Sequence, residues 1–417
     1  MSSGFFVHNL GCKVNRVESD TMAASLIAAG ATQTSLDEAA VVLINTCTVT
    51  AEADTKARKA VRQALRAAGQ PWVIVTGCAA MIDPQAYAEL DKRVLVLPDK
   101  PAATDRALAL CSPPQAGLPA SKPLRTGDAF PTRMGIKIQD GCDNRCSYCI
   151  VNRARGTARS VALTDLLAQA QAAESGGVRE IVLTGVNLGS YSSAGVDLVE
   201  LLQTLLQQTA KTRYRLSSLE PPDLSDALIA TIACSEGRLC AHLHLPLQSG
   251  CDSTLRAMGR LYDTAFFSER VQALRKALPQ VALTTDVIVG FPGETTADFE
   301  QSYAFCQRIG FSRLHVFRYS KRTGTPAACM PLQVSPELKA ARSRLLRELS
   351  AQLQERDLQT RVGTQELVIV EKRTQGTSES YLKVEVPGSC EPGSLVRMQF
   401  TGYRATLIHG SIIAPID

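Results

Sequence analysis

The chain has 417 residues, of which 45% are hydrophobic and 20% charged, and its formal net charge is +5. This length supports two or three domains with well-packed cores, and the composition excludes a largely disordered protein. The N-terminus lacks the basic and apolar regions of a signal peptide, and no apolar run is long enough to span a membrane, so we expect a cytoplasmic protein without membrane contact. In that reducing compartment the 13 cysteines are expected to be thiols or metal ligands, and not disulfides.

Residues 1–115 predict an α/β domain with a doubly wound parallel sheet. Three apolar runs predict its strands, and they begin at Phe5, Val41 and Trp72. A cysteine follows each of these runs, at Cys12, Cys47 and Cys78. Because the carboxyl ends of parallel strands lie at one edge of a sheet, the three thiols can converge, and we interpret them as ligands of an iron–sulfur cluster. Three unrelated buried cysteines are the alternative.

Residues 130–360 predict a partial (βα)6 barrel, and a segment rich in proline, glycine and serine at 116–129 predicts the linker that precedes it. Six apolar runs predict the strands, near 135–139, 180–184, 214–218, 241–245, 282–289 and 313–317. Amphipathic runs between them predict helices. Six such units are too few for a closed eight-stranded barrel, so we expect an open barrel with its site at the carboxyl ends of the strands.

A short loop directly after the first barrel strand contains a second group of three cysteines. Cys142, Cys146 and Cys149 have the spacing C-x3-C-x2-C. Three thiolates so spaced can hold three irons of a cubane cluster, and the fourth iron is then open to a small molecule. Structural zinc needs four closed ligands, and only one C-x2-C pair is present here. A disulfide and free thiols are the remaining alternatives, and we favour the open cluster.

Polar loops follow the next strands at the same predicted face. Their candidate ligand-binding residues are Thr184, Gly185, Asn187, Ser218, Glu220 and Gln248. Polar groups that converge in this way can hold the ammonium and carboxylate of an amino acid together with a ribose. For each loop taken alone, an ordinary turn between strand and helix is the alternative.

The C-terminal part predicts a long helix that begins at Ser335-Pro336, followed by a small all-β barrel in residues 361–417. Before that helix, five basic residues follow one another with no acidic residue between them: Arg308, Arg313, Arg318, Lys321 and Arg322. Such a concentration favours an anionic partner, with nucleic acid as the leading candidate. A solvated surface is the alternative.

Together these features resemble the radical S-adenosylmethionine (SAM) superfamily, and within it the methylthiotransferases. The C-x3-C-x2-C loop after the first strand of a partial barrel is typical of the superfamily, and the domain with Cys12, Cys47 and Cys78 is similar to the N-terminal domain of the methylthiotransferases. Four stretches resemble the MtaB-type branch, at 11–15, 183–188, 284–294 and 315–325. The C-terminal barrel resembles a TRAM module. One departure is Asn152, near which the family usually has a proline, so the local loop shape could differ.

The resemblance implies two 4Fe-4S clusters and SAM, with the open cluster generating a 5′-deoxyadenosyl radical and the N-terminal cluster delivering sulfur. The residues it and the polar loops assign to SAM are Tyr148, Thr184, Gly185, Asn187, Ser218, Glu220 and Gln248. It implies methylthiolation of C2 of N6-threonylcarbamoyladenosine at position 37, beside the tRNA anticodon, without a protein acid–base catalyst. We expect contacts to the anticodon arm from Arg155, Arg318, Lys321 and Arg322. Flavodoxin or ferredoxin is the expected electron donor, and the sulfur source stays open.

Two other functions are compatible with the same residues. The first keeps the chemistry and changes the substrate, to N6-isopentenyladenosine or to an aspartate of a ribosomal protein. The second, of another class, is an RNA-binding protein whose clusters only sense oxidation. Two clusters that each have a vacant iron suit substrate chemistry better than sensing.

Overall fold

The computed structural model describes residues 4–111, 132–388 and 390–416. The predicted linker at 116–129 therefore lies outside the described residues. The described chain forms an N-terminal α/β domain, a central open barrel and a small C-terminal β-barrel. No helix in the described ranges has the length and apolar character needed to cross a membrane.

The N-terminal domain is built on a five-stranded, fully parallel sheet in the order β2-β1-β3-β4-β5. Its strands are β1 (Gly4–Asn9), β2 (Thr32–Gln33), β3 (Val41–Thr46), β4 (Trp72–Gly77) and β5 (Val94–Val96). Its helices are α1 (Lys13–Ala28), α2 (Ala51–Leu65), α3 (Cys78–Ile82), α4 (Gln85–Ala88) and α5 (Lys100–Leu110). The doubly wound sheet is confirmed. The strand order reverses between β1 and β3, which leaves a crevice at their carboxyl ends.

The central domain has six parallel barrel strands in sequence order, as predicted. These are β6 (Met134–Lys137), β9 (Glu180–Thr184), β12 (Arg213–Leu216), β13 (His242–His244), β14 (Ala282–Val289) and β15 (Arg313–Arg318). Short strand pairs complete its loops, namely β7 (Gln139–Asp140) with β8 (Arg159–Ser160), and β10 (Ser192–Ser193) with β11 (Val196–Asp197). Single bridges Tyr214–Leu239 and Ser218–His244 join the two three-stranded halves.

Helices cover the outer face of this barrel, and short helices lie in the loops at the carboxyl ends of its strands. They are α6 (Val151–Arg155), α7 (Leu163–Ser175), α8 (Leu198–Gln208), α9 (Asp226–Ala233), α10 (Asp252–Ala257), α11 (Thr264–Ala277), α12 (Thr296–Ile309) and α13 (Pro326–Cys329), with 3-10 turns at Leu188–Ser190 and Pro221–Asp223. Alternate strand residues such as Ile181, Leu243 and Leu283 pack against the helices in one large apolar core. Burying each such side chain contributes roughly 1.5–3 kcal/mol.

The opposite face of the strands forms a polar barrel lumen. Its buried or half-buried side chains are Glu180, Arg213, Arg215, His242, His244, Thr284 and Asp286. They bond to one another: Glu180 accepts hydrogen bonds from Arg213 at 2.7 Å and from Arg215 at 2.8 Å, and Thr284 Oγ1 lies 3.0 Å from His244 Nδ1. The interior of a closed eight-stranded barrel, by contrast, is filled with apolar layers.

The C-terminal domain closes this lumen from one side. Helix α14 (Pro336–Arg361) starts at the predicted cap, where Ser335 accepts a hydrogen bond from the Leu338 amide. The closed barrel that follows has the strands β16 (Gln365–Lys372), β17 (Gln375–Ser378), β18 (Lys383–Glu385), β19 (Leu395–Arg404) and β20 (Leu407–Ile416). Arg215 donates to the carbonyls of Ser378 and Glu379, and the Tyr381 ring stacks on His242 at 4.8 Å.

Candidate active site

The three strand-end cysteines of the N-terminal domain lie together at one edge of its sheet. Cys12 follows β1, Cys47 follows β3 and Cys78 follows β4, and the three are close enough for their charges to interact. β1 and β3 are also the strands between which the sheet order reverses, where doubly wound sheets bind ligands. The structure thus brings these thiols to one place, as a shared ligand set requires.

Gly77 explains how the strand ends approach so closely. Its φ is +91°, and a Cβ there would lie 2.4 Å from Asn45 Oδ1 and 2.6 Å from the Thr46 carbonyl oxygen. A side chain at this position would therefore push β4 away from β3, and Cys78 away from Cys47. The requirement for glycine at this position therefore comes from the neighbouring strand.

The second group of cysteines lies on the loop between β7 and α6. The backbone amides of Asn144 and Val151 point at the sulfurs of Cys142 and Cys149, each with an N–S distance of 3.4 Å. Arg260, from the loop after α10, donates to Cys146 Sγ at 3.2 Å. Hydrogen bonds to sulfur of this kind stabilise thiolate ligands and tune the cluster that they hold.

Neither cysteine group is arranged as a site for a single metal ion. Among the described residues, no three side chains of His, Cys, Asp or Glu are placed to bind one ion. A cubane cluster has a different requirement, because each thiolate binds a different iron. Burial raises the pKa of Cys47 and of Cys149 to about 11. In the iron-free protein these thiols are therefore protonated at neutral pH, and they lose their protons when they bind iron.

A cavity of about 170 Å³ lies between the two cysteine groups. Val49 and Thr50, just after Cys47, line it on one side, and the stretch from Tyr148 to Val151 lines it on the other. The barrel contributes Gln248, Asp286, Ile288 and the end of β15. Any molecule held here touches the loops of both cysteine groups at once.

A second cavity, of about 350 Å³, lies on the other side of the cysteine loop. Cys146, Asn187, Glu220, Asp223 and Arg260 are among its lining residues. Glu220 forms an ion pair with Arg260, and burial together with the Glu220 charge raises the pKa of Asp223 to about 6. The cavity therefore presents a cation and two carboxylates beside the cluster loop.

Several buried polar atoms at or after the carboxyl ends of β9 and β12 have no hydrogen-bond partner within the described part of the chain. They are Thr184 Oγ1, Asn187 Oδ1, Ser217 Oγ and Asp223 Oδ2. Unsatisfied buried polar groups are rare in folded proteins, and several together fit a polar ligand that completes them. An amino-acid group and a ribose, such as those of SAM, supply the matching donors and acceptors.

Four of the seven predicted SAM residues line one or other of these two cavities. Tyr148 and Gln248 line the first, and Asn187 and Glu220 line the second. Of the other described positions, Thr184, Gly185 and Ser218 are not among the lining residues of either cavity. Sequence reasoning missed Arg260 and Asp223, because neither follows a predicted strand directly or belongs to a recognisable spacing.

The four predicted RNA contacts fall into two pairs. Arg318 and Lys321 are exposed beside the first cavity, next to Phe317, whose exposed fraction is 44%. Arg322 is buried and pairs with Asp54 of α2 at 2.6 Å. Arg155 is also buried, and its guanidinium binds Glu18 and Asp140. These two buried side chains join the N-terminal domain to the barrel, and for both of them a contact with RNA stays a prediction.

Comparisons with known proteins agree with this architecture. Residues 136–306 match the Radical SAM superfamily, and residues 4–97 match the Uncharacterized protein family UPF0004. The threonylcarbamoyladenosine tRNA methylthiotransferase MtaB of Thermotoga maritima is 34% identical to this chain, over 98% of each protein. The chain belongs to the radical SAM methylthiotransferases, in their MtaB-type branch.

Other members of this family are similarly related. MtaB of Bacillus subtilis is 38% identical, over 83% of this chain and 80% of that protein. The tRNA-2-methylthio-N(6)-dimethylallyladenosine synthase of Cereibacter sphaeroides is 35% identical over 96% of each. Among solved structures, the radical SAM methyltransferase TsrM of Kitasatospora setae has a TM-score of 0.57 at 12% identity, covering 79% of this chain and 77% of that one, which shows a shared fold.

Family membership settles the cofactor class. This methylthiotransferase is an enzyme that uses SAM and two 4Fe-4S clusters. The two cysteine groups, the hydrogen bonds to the sulfurs of Cys142, Cys146 and Cys149, and the unpartnered polar atoms of Asn187 and Asp223 in the second cavity fit these groups.

Proposed function

We propose that this methylthiotransferase modifies C2 of N6-threonylcarbamoyladenosine at position 37 of tRNA, next to the anticodon. The observation that carries the proposal is the first cavity, which lies between the loops of Cys47 and Cys149. When bound, the cofactors supply a carbon-centred radical that removes the C2 hydrogen and the sulfur that replaces it. Neither task is open to a side chain at neutral pH, because this C–H bond is neither acidic nor electrophilic.

The protein's own residues bind and orient the reactants. Glu220, Asp223 and Arg260 offer opposite charges for the two ends of an amino-acid group beside Cys146. Tyr148 and Ile288 give the first cavity an apolar wall, which excludes water from a reactive radical. The target base must leave its stack to enter such a cavity.

The mouth of the first cavity supports a nucleic-acid partner. Phe317 is exposed there and offers a surface for base stacking. Arg318 and Lys321, both exposed, flank it and suit phosphates of the anticodon arm. Activity on tRNA in turn implies the cytoplasm, with a small carrier such as flavodoxin or ferredoxin as the electron donor.

The polarity of the lumen favours the threonylcarbamoyl group over a prenyl group. Threonylcarbamoyl carries a carboxylate and a hydroxyl, whereas dimethylallyl is a hydrocarbon. Lys13 directly follows Cys12 and holds its ammonium 5.3 Å from the Tyr381 ring, where its charge also acts on His242 and His315. Dimethylallyladenosine is the second candidate, because a relative named for that substrate is 35% identical.

Nucleoside mass spectrometry of tRNA tests the choice of substrate. A strain without this gene should accumulate N6-threonylcarbamoyladenosine and lose its 2-methylthio form. Accumulation of dimethylallyladenosine instead would favour the second candidate. A methylthio-threonylcarbamoyl nucleoside that persists, with no second enzyme present, contradicts the proposal.

Two cysteine variants test whether the two clusters have separate roles. Cys146→Ala should abolish reductive cleavage of SAM, because its cluster generates the radical. Cys47→Ala should retain cleavage and lose methylthiolation. If Cys146→Ala still cleaves SAM, the assignment of the two clusters is wrong.

A further inference from the structure

Arg155 is the side chain through which the barrel reaches the cluster site of the other domain. It is the last residue of α6, the helix that follows the Cys142–Cys149 loop. Its side chain is only 3% exposed. Nη1 donates to Glu18 Oε1 and to Asp140 Oδ1, both at 2.9 Å, and Nη2 donates to Asn15 Oδ1 at 3.0 Å.

The same guanidinium acts on the N-terminal cysteines. Helix α6, which ends with Arg155, packs against α3, which begins with Cys78, and the Arg155 charge acts on that thiol. Arg155 also holds Asn15, whose Oδ1 accepts a hydrogen bond from Cys12 Sγ at 3.3 Å and whose Nδ2 donates to the Thr46 carbonyl beside Cys47 at 2.9 Å. A single residue of the barrel thus lies beside the helix of Cys78 and is linked to Cys12 through Asn15.

The charges around Arg155 leave a positive excess next to Cys78. The network contains the cations Arg155, Lys137 and Lys100 and the anions Glu18 and Asp140. Lys100 also acts on Cys78. A cluster on three thiolates becomes more negative when it is reduced, so a buried cation beside it favours the reduced form.

We propose that Arg155 is a positioning residue for the N-terminal cluster, which it orients from the other domain and whose reduction potential it raises. The ligand environment of that cluster is therefore complete only when the two domains are docked. The proposal goes beyond the choice of nucleoside and holds whichever adenosine is modified. It also explains why this arginine, which follows the radical-generating loop, is buried between the domains.

The test is a redox titration, followed by electron paramagnetic resonance, of the full chain with Cys142, Cys146 and Cys149 replaced by Ala, so that only the N-terminal cluster is present. In this background Arg155→Met should shift the midpoint potential to a more negative value. Glu18→Gln removes an anion behind Arg155 and should shift it to a more positive value. Lys137→Met is the matched control, because it removes a cation of the same network that is 27% exposed and bonds Glu18 and Asp140.

Opposite shifts in Arg155→Met and Glu18→Gln, with a smaller shift in Lys137→Met, support the proposal. Equal midpoint potentials in the parent and its three variants overturn it. Shifts of the same sign in Arg155→Met and Glu18→Gln also overturn it, because they indicate a general loosening of the interface. If Arg155→Met does not retain a cluster, Arg155→Lys replaces it, because lysine keeps a positive charge but cannot place it as the guanidinium does. A midpoint more negative than that of the parent, with a changed spectrum, supports the proposal, and an unchanged midpoint and spectrum overturn it. None of these readouts depends on tRNA, so a wrong nucleoside leaves them unaffected.

Discussion

Two buried arginines of the barrel each bind a carboxylate of the N-terminal domain, so single residues hold these two domains together. Arg155 binds Glu18 of α1, and Arg322 binds Asp54 of α2, so the barrel holds two helices of the N-terminal domain. The sequence shows the charge of each arginine and not its partner, because the partners lie more than a hundred residues away. Arg318 and Lys321, four residues or fewer from Arg322, are exposed, as a contact with RNA requires. Basic residues that are neighbours in the sequence thus differ in their surroundings, because one is buried and the others are exposed.

Lys13 tests substrate recognition at the residue scale. Lys13→Met keeps the length of the side chain and removes its charge. If the ammonium binds the threonyl carboxylate, kcat/KM for tRNA should fall about tenfold to a hundredfold, because a hydrogen bond to a charged group contributes ~1.5–3 kcal/mol. Cleavage of SAM without tRNA should stay unchanged, and Lys13→Arg should retain most of the turnover. An unaltered kcat/KM in Lys13→Met would remove Lys13 from the substrate site.

Phe317 tests the stacking surface. Phe317→Ala should raise KM for tRNA, because stacking of a base on an aromatic ring contributes ~1–3 kcal/mol. Phe317→Tyr keeps the ring and should behave like the wild type. Steady-state kinetics with varied tRNA, together with SAM cleavage as the internal control, make the measurement. Equal KM values for the Ala and Tyr variants would exclude stacking at this position.

At the scale of elements, the sequence predicts those strands and helices that are long enough to show a clear pattern of apolar residues. The six barrel strands and the long helix α14 were predicted because each is an apolar or amphipathic run of ample length. β2, β5 and β17 were missed, because they have only two to four residues and β2 and β17 are mostly polar. The convergence of Cys12, Cys47 and Cys78 could be predicted because it depends on strand ends. The cavities could not, because they depend on how loops from separate elements pack.

The contact between α1 and α6 has a predictable pH dependence. Burial alone would raise the pKa of Glu18, but the hydrogen bond and charge of Arg155, with Lys100 and Lys137, bring it down to about 2 from 4.5. A carboxylate with a lowered pKa stabilises the folded state above the unfolded-state value of 4.5 and loses this contribution as the pH falls toward 2. The wild type should therefore exceed Glu18→Gln in stability at pH 7 by roughly 3 kcal/mol, and by less at pH 3.

Denaturant unfolding of the iron-free protein at the two pH values measures this difference. Glu52→Gln is a suitable control, because Glu52 forms an exposed pair with Lys56 on α2, away from this interface. An advantage of the wild type over Glu18→Gln that is the same at pH 3 and pH 7 would show that the carboxylate charge is not what stabilises the contact.

At the scale of the whole molecule, the C-terminal domain is part of the barrel wall. Arg213 and Arg215 pair with Glu180 inside the lumen and donate to backbone carbonyls between Leu367 and Glu379. No sequence pattern predicts this arrangement, because two arginines in a four-residue strand are more typical of a solvent-exposed edge strand. The resemblance to a TRAM module predicts the fold of this domain, and its packing into the lumen is known only from the structure.

Glu180→Gln tests the importance of this seal. Removing one partner of a buried ion pair costs about 3–5 kcal/mol, and here two buried arginines lose their carboxylate. The full chain should lose stability by that amount in denaturant unfolding. Lys383→Met breaks the more exposed pair with Glu371 and should cost about 0–1 kcal/mol. Equal losses in the two variants would mean that the lumen pairs do not hold the domains together.

The closed lumen also bears on how such enzymes diversify. A module that only grips RNA can be exchanged for another gripping module without harm to the catalytic domain. Here, exchange would open a row of charged side chains to water and remove the ring that stacks on His242. A replacement domain would have to supply carbonyl acceptors for Arg213 and Arg215 and an aromatic ring at the position of Tyr381. The C-terminal domain is therefore a structural part of the barrel and not an interchangeable attachment.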